Sequence, residues 1–160
     1  MSGLDVKQLG MQVVRPVLDY LGMGGPVAEA LMLGTAAQES GFRKLHQDGG
    51  GPAIGLWQME PATEADIRKN FLAYRGALNA KVQALTIPLF GGAEQMAGNL
   101  YYACAMARIS YYRSPQEIPT TVDLEVLGKL YKLVYNTPGG AATAEEWVIN
   151  YKTLVAPFWG

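Results

Sequence analysis

The chain predicts a mostly α-helical fold in a single domain. Three observations carry that reading. Apolar residues recur at helical spacing in one segment after another. Alternating strand patterns are scarce and leave room only for a short β-hairpin within residues 43–58, beside the glycine-rich loop. Apolar residues make up 49% and charged residues 17% of the 160 residues, a globular composition long enough to bury one core. With no internal repeat, linker or low-complexity tail, residues 1–160 read as one domain.

Each helix has its own signals. Residues 4–21 place Leu9, Val13, Val14, Val17, Leu18 and Leu21 on one stripe, and Gly22 stops it. Pro26 suits a first helical turn, and a second helix runs from it through Val27, Ala30, Leu31 and Leu33 to about Glu39. Residues 41–60 are too rich in glycine for regular structure. Thr63, with Asp66 three residues on, opens a third helix. Further helices are expected over residues 81–85 and 93–112, the second preceded by Gly91 and Gly92. A loop with Pro115 and Pro119 follows. Residues 123–134 carry a stripe of Leu124, Leu127, Leu130, Tyr131 and Val134, broken by Thr137-Pro138-Gly139-Gly140. Thr143 and Glu146 form a capping box for a last helix to about residue 154, with Phe158 and Trp159 free to dock beyond it.

Charge and cysteine content remove several function classes. Net charge is −1 with a pI near 5.8, so no basic footprint points to nucleic acid or to adhesion on an anionic polymer. Cys104 is the only cysteine, which excludes an intrachain disulfide, and it lies in an apolar helical run where a buried thiol is expected. One histidine, His46, and no clustered acids argue against a zinc or calcium site, and no cofactor is expected. The start of the chain lacks a secretory pattern and no apolar run has the length of a membrane span. The expectation is a chain made in a bacterial cytoplasm.

The chemistry is expected at Glu39. It stands in Ala36-Ala37-Gln38-Glu39-Ser40-Gly41-Phe42, where an apolar helix meets the glycine-rich loop. Ala37, Phe42, Leu56 and Met59 are its expected neighbours. Apolar surroundings disfavour a carboxylate, so Glu39 is expected to remain a proton donor near neutral pH. Such a general acid suits cleavage of a glycosidic bond.

Four segments in order then resemble the soluble lytic transglycosylase family. They are Glu39-Ser40-Gly41-Phe42; Gly55-Leu56-Trp57-Gln58-Met59-Glu60-Pro61-Ala62-Thr63; Asn99-Leu100; and Val134-Tyr135-Asn136-Thr137-Pro138-Gly139. Family members carry Glu-Ser, then Gly-Leu-Met-Gln and Pro-x-Thr, then Ala-Tyr-Asn-Ala-Gly. The resemblance spans about residues 28–140. It implies a lysozyme-like α fold and cleavage of the β-1,4 bond between N-acetylmuramic acid and N-acetylglucosamine in peptidoglycan. It also implies Glu39 as acid and then base, with Gln58 shaping the sugar site. Ser40, beside Glu39, is a candidate at the substrate site and is expected to order the helix end. Tyr135 would hydrogen-bond toward Glu39 or the substrate N-acetyl group, Asn136 would fix its loop, and Asn99 would touch glycan. Trp57 stands where the family has Met, either as a sugar platform or as core. Tyr101, Tyr102, Tyr111 and Tyr112 are expected to be partly buried.

A lytic transglycosylase needs one carboxylic acid, because the sugar's own 6-hydroxyl closes a 1,6-anhydro ring. A hydrolase needs a second group to activate water, usually a carboxylate about 6.5–9.5 Å away in inverting enzymes. Asp48 and Glu60 are the two spare candidates, and goose-type lysozymes, related to the family, carry acids at broadly similar places. The resemblance therefore implies a transglycosylase first and a hydrolytic muramidase second. A non-catalytic glycan-binding or structural virion domain and a chitinase or chitosanase are the rival readings. The bare catalytic domain suits a bacteriophage protein, either an endolysin released through a holin or a virion component, acting on wall glycan strands in the periplasm.

Overall fold

The computed structural model describes residues 3–136 and 139–159, and they are mostly helical. Seven helices are numbered here in chain order. Helix α1 covers residues 6–21: Val6–Leu9, a wider π turn at Gly10–Val14, then Arg15–Leu21. Pro16 accounts for the π turn, since it offers no N–H and its ring crowds the carbonyl one turn back. Asp5 caps the start by accepting from the Gln8 N–H at 2.9 Å, and Gly22 ends the helix at φ +73°.

Helix α2, Pro26–Ser40, is the central one. Every residue from Val27 to Ala37 is buried, so it is covered on all sides. Small residues make that possible. A Cβ on Gly34 would lie 2.1 Å from the Trp147 ring of the last helix. Helix α3, Pro61–Asn70, and α4, Gly76–Gln83, follow the loop. Helix α5, Leu100–Tyr112, is buried from Tyr102 to Tyr111 and lies against α2.

Helix α6 covers residues 124–136 and ends in a π turn, Tyr131–Asn136. Helix α7 covers residues 144–159, with a π turn at Tyr151–Val155 just before Pro157. The Thr143–Glu146 capping box forms as expected. Trp159 folds back on α1, where a Cβ on Gly10 would touch its ring, and Arg15 lies over it at 5.0 Å. Arg15 also makes a two-pronged pair with the nearly buried Glu29, at 2.9 and 3.1 Å.

Several expectations are corrected. The third helix starts at Pro61, two residues early, and Thr63 does not cap it. The helix expected over 93–112 is broken, because Ala93–Ala97 is a 3-10 turn, Gly98 intervenes and Asn99 caps a fresh start. The hairpin reduces to two isolated antiparallel bridges, His46 with Ile54 and Ile54 with Met59. In the expected break after α6, Thr137 and Pro138 lie outside the described residues. Among the described residues no helix is long and apolar enough to cross a membrane.

Candidate active site

An open cleft of about 700 Å³ runs between the C-terminal end of α2, the glycine-rich loop, the start of α3 and the π turn of α6. Glu39, Asp48, Gln58, Glu60, Tyr135 and Asn136 all line it. Residues far apart in sequence thus meet in one place, along with Lys44, Gln47, Met59, Thr63 and Ser110.

Glu39 sits in the last turn of α2, which Gly41 ends in the left-handed region at φ +58°. Phe42 follows at φ +62°, a conformation costly for a bulky residue, and buries its ring in the core. This abrupt exit leaves Glu39 at the cleft wall, partly covered. Burial raises its carboxyl to about pKa 7, and a hydrogen bond donated by the Tyr131 hydroxyl to Oε1 at 3.1 Å pulls in the opposite sense. The burial effect wins. Glu39 therefore carries its proton in an appreciable fraction of molecules at neutral pH.

The loop wall is built on backbone conformation. Ile54 and Met59 exchange hydrogen bonds at 3.0 and 3.1 Å across a turn holding Gly55 at φ +83° and Gln58 at φ +47°. A Cβ on Gly55 would lie 2.4 Å from the Met96 carbonyl oxygen, so glycine is needed there twice over. Gln58 donates from its side chain to the Gly55 carbonyl at 2.9 Å and stays at the cleft.

Asp48 and Glu60 share the cleft with Glu39 in a different setting. Asp48 is three-quarters exposed and pairs with Lys44. Glu60 is exposed and precedes α3 without capping it through its side chain.

Three of the expected substrate contacts lie in the core instead. Trp57 is 1% exposed, with its indole N–H donated to the Met32 carbonyl at 2.9 Å, so it is not a sugar platform. Asn99 is buried, accepts from the Tyr102 N–H at 3.0 Å and donates to Leu85 O at 2.7 Å and Gln95 Oε1 at 3.1 Å. Its polar atoms serve the start of α5. Ser40 is buried too, donating to the Ala36 carbonyl at 3.0 Å and accepting from the Phe42 N–H at 3.2 Å, which orders the helix end.

The Tyr135 hydroxyl donates to the Trp57 carbonyl at 2.6 Å and not to Glu39. The tyrosine that reaches Glu39 is Tyr131, one turn earlier, which the apolar stripe had assigned to the core alone. The i, i+4 spacing of Tyr131 and Tyr135 was the available signal, since it puts both on one helix face. Asn136 lies at the end of α6, beside the cleft. It accepts from Lys132 Nζ at 2.8 Å, and the same ammonium donates to the Gly140 carbonyl at 2.7 Å. Tyr102 and Tyr111 are buried, whereas Tyr101 and Tyr112 are half exposed.

Among the described residues no group of three or more His, Cys, Asp or Glu side chains is placed to hold a metal ion. No protein-family model, curated protein or solved structure matches the chain.

Proposed function

We propose that the protein cleaves the β-1,4 bond between N-acetylmuramic acid and N-acetylglucosamine in peptidoglycan, as a lytic transglycosylase with a lysozyme-like fold. The observation that carries this reading is Glu39: a carboxyl raised to about pKa 7, held by a tyrosine, in an open polar cleft of about 700 Å³. The order of the motifs around it supports the substrate class.

In this mechanism Glu39 gives its proton to the glycosidic oxygen as the C1–O bond breaks. The muramic acid 6-hydroxyl then attacks C1 of the oxocarbenium-like centre and returns its proton to the Glu39 carboxylate. A 1,6-anhydro ring forms and no water is consumed. The loop wall, with Gln58 and the Gly55 backbone, shapes the sugar site. A phage setting, with holin-dependent release or virion association, fits the same chemistry.

One observation favours a second reading. Asp48 and Glu60 line the same cleft, so either is available to activate water in a muramidase. The test is mass spectrometry of soluble products from purified peptidoglycan. Products ending in 1,6-anhydro-muramic acid, one water lighter than reducing-end products, are expected. Reducing-end products would establish hydrolysis instead, and no release of fragments would defeat both readings.

A further inference from the structure

Glu39 is one of two residues on the same face of α2 that tyrosines hold. Thr35 lies one turn before it, buried, with its hydroxyl 2.8 Å from the Tyr111 hydroxyl. Tyr111, from α5, stacks on Tyr135 with ring centres 5.4 Å apart and planes 18° apart. Tyr135 stacks in turn on Tyr131 at 6.1 Å and 24°. Tyr131 then donates to Glu39 Oε1. The path leaves α2 at Thr35, crosses three rings from two helices and returns to α2 at Glu39. Tyr135 is also pinned to the loop through the Trp57 carbonyl.

We propose that these three tyrosines form a clamp on the last turn of α2, and that Tyr131 is a positioning residue that engages Oε1 of Glu39 and leaves Oε2 to carry the transferred proton. A carboxyl has two oxygens and a free χ3 rotation, so a general acid that must present one O–H to a bound glycoside gains from having the other oxygen fixed. The donor has to be neutral to do this. Burial and the facing Glu39 carboxyl both hold the Tyr131 hydroxyl far above its ordinary range, so it remains a donor across the working pH. Tyr131 and Tyr135 both sit in the wide π turn of α6. π turns recur at functional sites.

The other titratable groups around Glu39 are Tyr135 on α6, Tyr111 on α5, Lys44 and Asp48 on the loop, and Glu60 before α3. Glu146 on α7 faces Tyr131. None of them is changed in Tyr131→Phe or Thr35→Val.

The test is Tyr131→Phe, which keeps the ring stack and removes only the hydroxyl. The first readout is the Glu39 carboxyl titration by NMR on ¹³C-labelled protein, assigned by its absence from Glu39→Gln. Losing a donor to the ionised form raises the midpoint, by about one pH unit. The second readout is the pH profile of strand cleavage, where the basic limb moves up by the same amount while kcat at its optimum falls about tenfold and KM holds. Thr35→Val cuts the far anchor, lowers kcat by a smaller factor and leaves the Glu39 midpoint in place. An unmoved midpoint in Tyr131→Phe overturns the clamp. The kinetic arm rests on the proposed glycosidase activity but the titration does not. A shifted midpoint in a protein that cuts no strand sustains the clamp and defeats the activity.

Discussion

The two walls of the cleft handle the same functional group in opposite ways. On the helix wall, Glu39 is partly buried at the end of α2, touches one tyrosine hydroxyl and is raised to about pKa 7. On the loop wall, Asp48 stands three-quarters exposed beside Lys44 and Glu60 is exposed before α3. The lesson concerns solvent. An acid becomes a proton donor at neutral pH when its water is replaced by carbon and ring faces. The walls are also built differently. Side-chain stacking stiffens the helix wall, whereas left-handed backbone at Gly49, Gly50, Gly55 and Gln58 shapes the loop wall.

The largest expected effect follows from removing the partly buried acid of the cleft, Glu39. Glu39→Gln keeps the volume and the Tyr131 contact but holds no transferable proton. Strand cleavage should fall about a thousandfold or more, with binding to insoluble peptidoglycan retained. Full retained activity would sink the assignment.

The same variant separates the walls by stability. Below pH 4.5 the Glu39 carboxyl is protonated whether the chain is folded or not. As pH rises from 4.5 toward 7 the unfolded chain ionises first, so the unfolded state holds fewer protons and folding stability falls. The full loss attributable to Glu39 is about 3 kcal/mol, reached near pH 8. Glu39→Gln lacks this fall. Urea unfolding at pH 4.5 and pH 8 should show it close to wild type at the first and more stable by up to about 3 kcal/mol at the second. Equal stability at both would mean that Glu39 is no more desolvated than the loop acids.

Two glycines on the loop wall allow a graded comparison. Gly55→Ala must adopt φ +83° and also drive its Cβ to within 2.4 Å of the Met96 backbone carbonyl oxygen. A loss of about 3 kcal/mol is expected. Gly50→Ala meets φ +78° with nothing within 4 Å, so strain alone should cost about 1 kcal/mol. Matched losses in urea unfolding would show that crowding against Met96 contributes nothing.

What could be read from the sequence divides along similar lines. The Thr143–Glu146 box, the Gly22 stop and the proline start of α2 are local signals, complete within one turn, and each holds in the fold. Glu39 was readable because the helix end, the Gly41 stop and the adjacent Ala37 and Phe42 are nearly consecutive. The tyrosine partner was not. Whether Tyr131 or Tyr135 reaches Glu39 depends on how α6 meets α2, and the two residues differ by only one turn. Asn99 looked like a surface polar residue inside a long helix, but its value is as a cap, which depends on the break that Gly98 allows. Trp57 belongs to the core because Met32, 25 residues earlier, supplies the acceptor for its indole. Such pairings are set by tertiary contacts, which no local pattern records.

The smallest expected effect is at Asp48, and its smallness is informative. Its pair with Lys44 is exposed on both sides, so Asp48→Asn should change stability by about half a kcal/mol or less. If the 6-hydroxyl of the sugar is the nucleophile, no water needs activating. Strand cleavage by Asp48→Asn should then stay within about twofold of wild type, and 1,6-anhydro products should persist. The variant is best measured beside Glu60→Gln, because either acid faces the same space and each is a control for the other. A hundredfold loss confined to one of them, with reducing-end products in the wild type, would assign that carboxylate as the base. It would show that the loop wall uses its solvated charge for catalysis, and that the contrast between the walls is a division of labour between a proton donor and a proton acceptor.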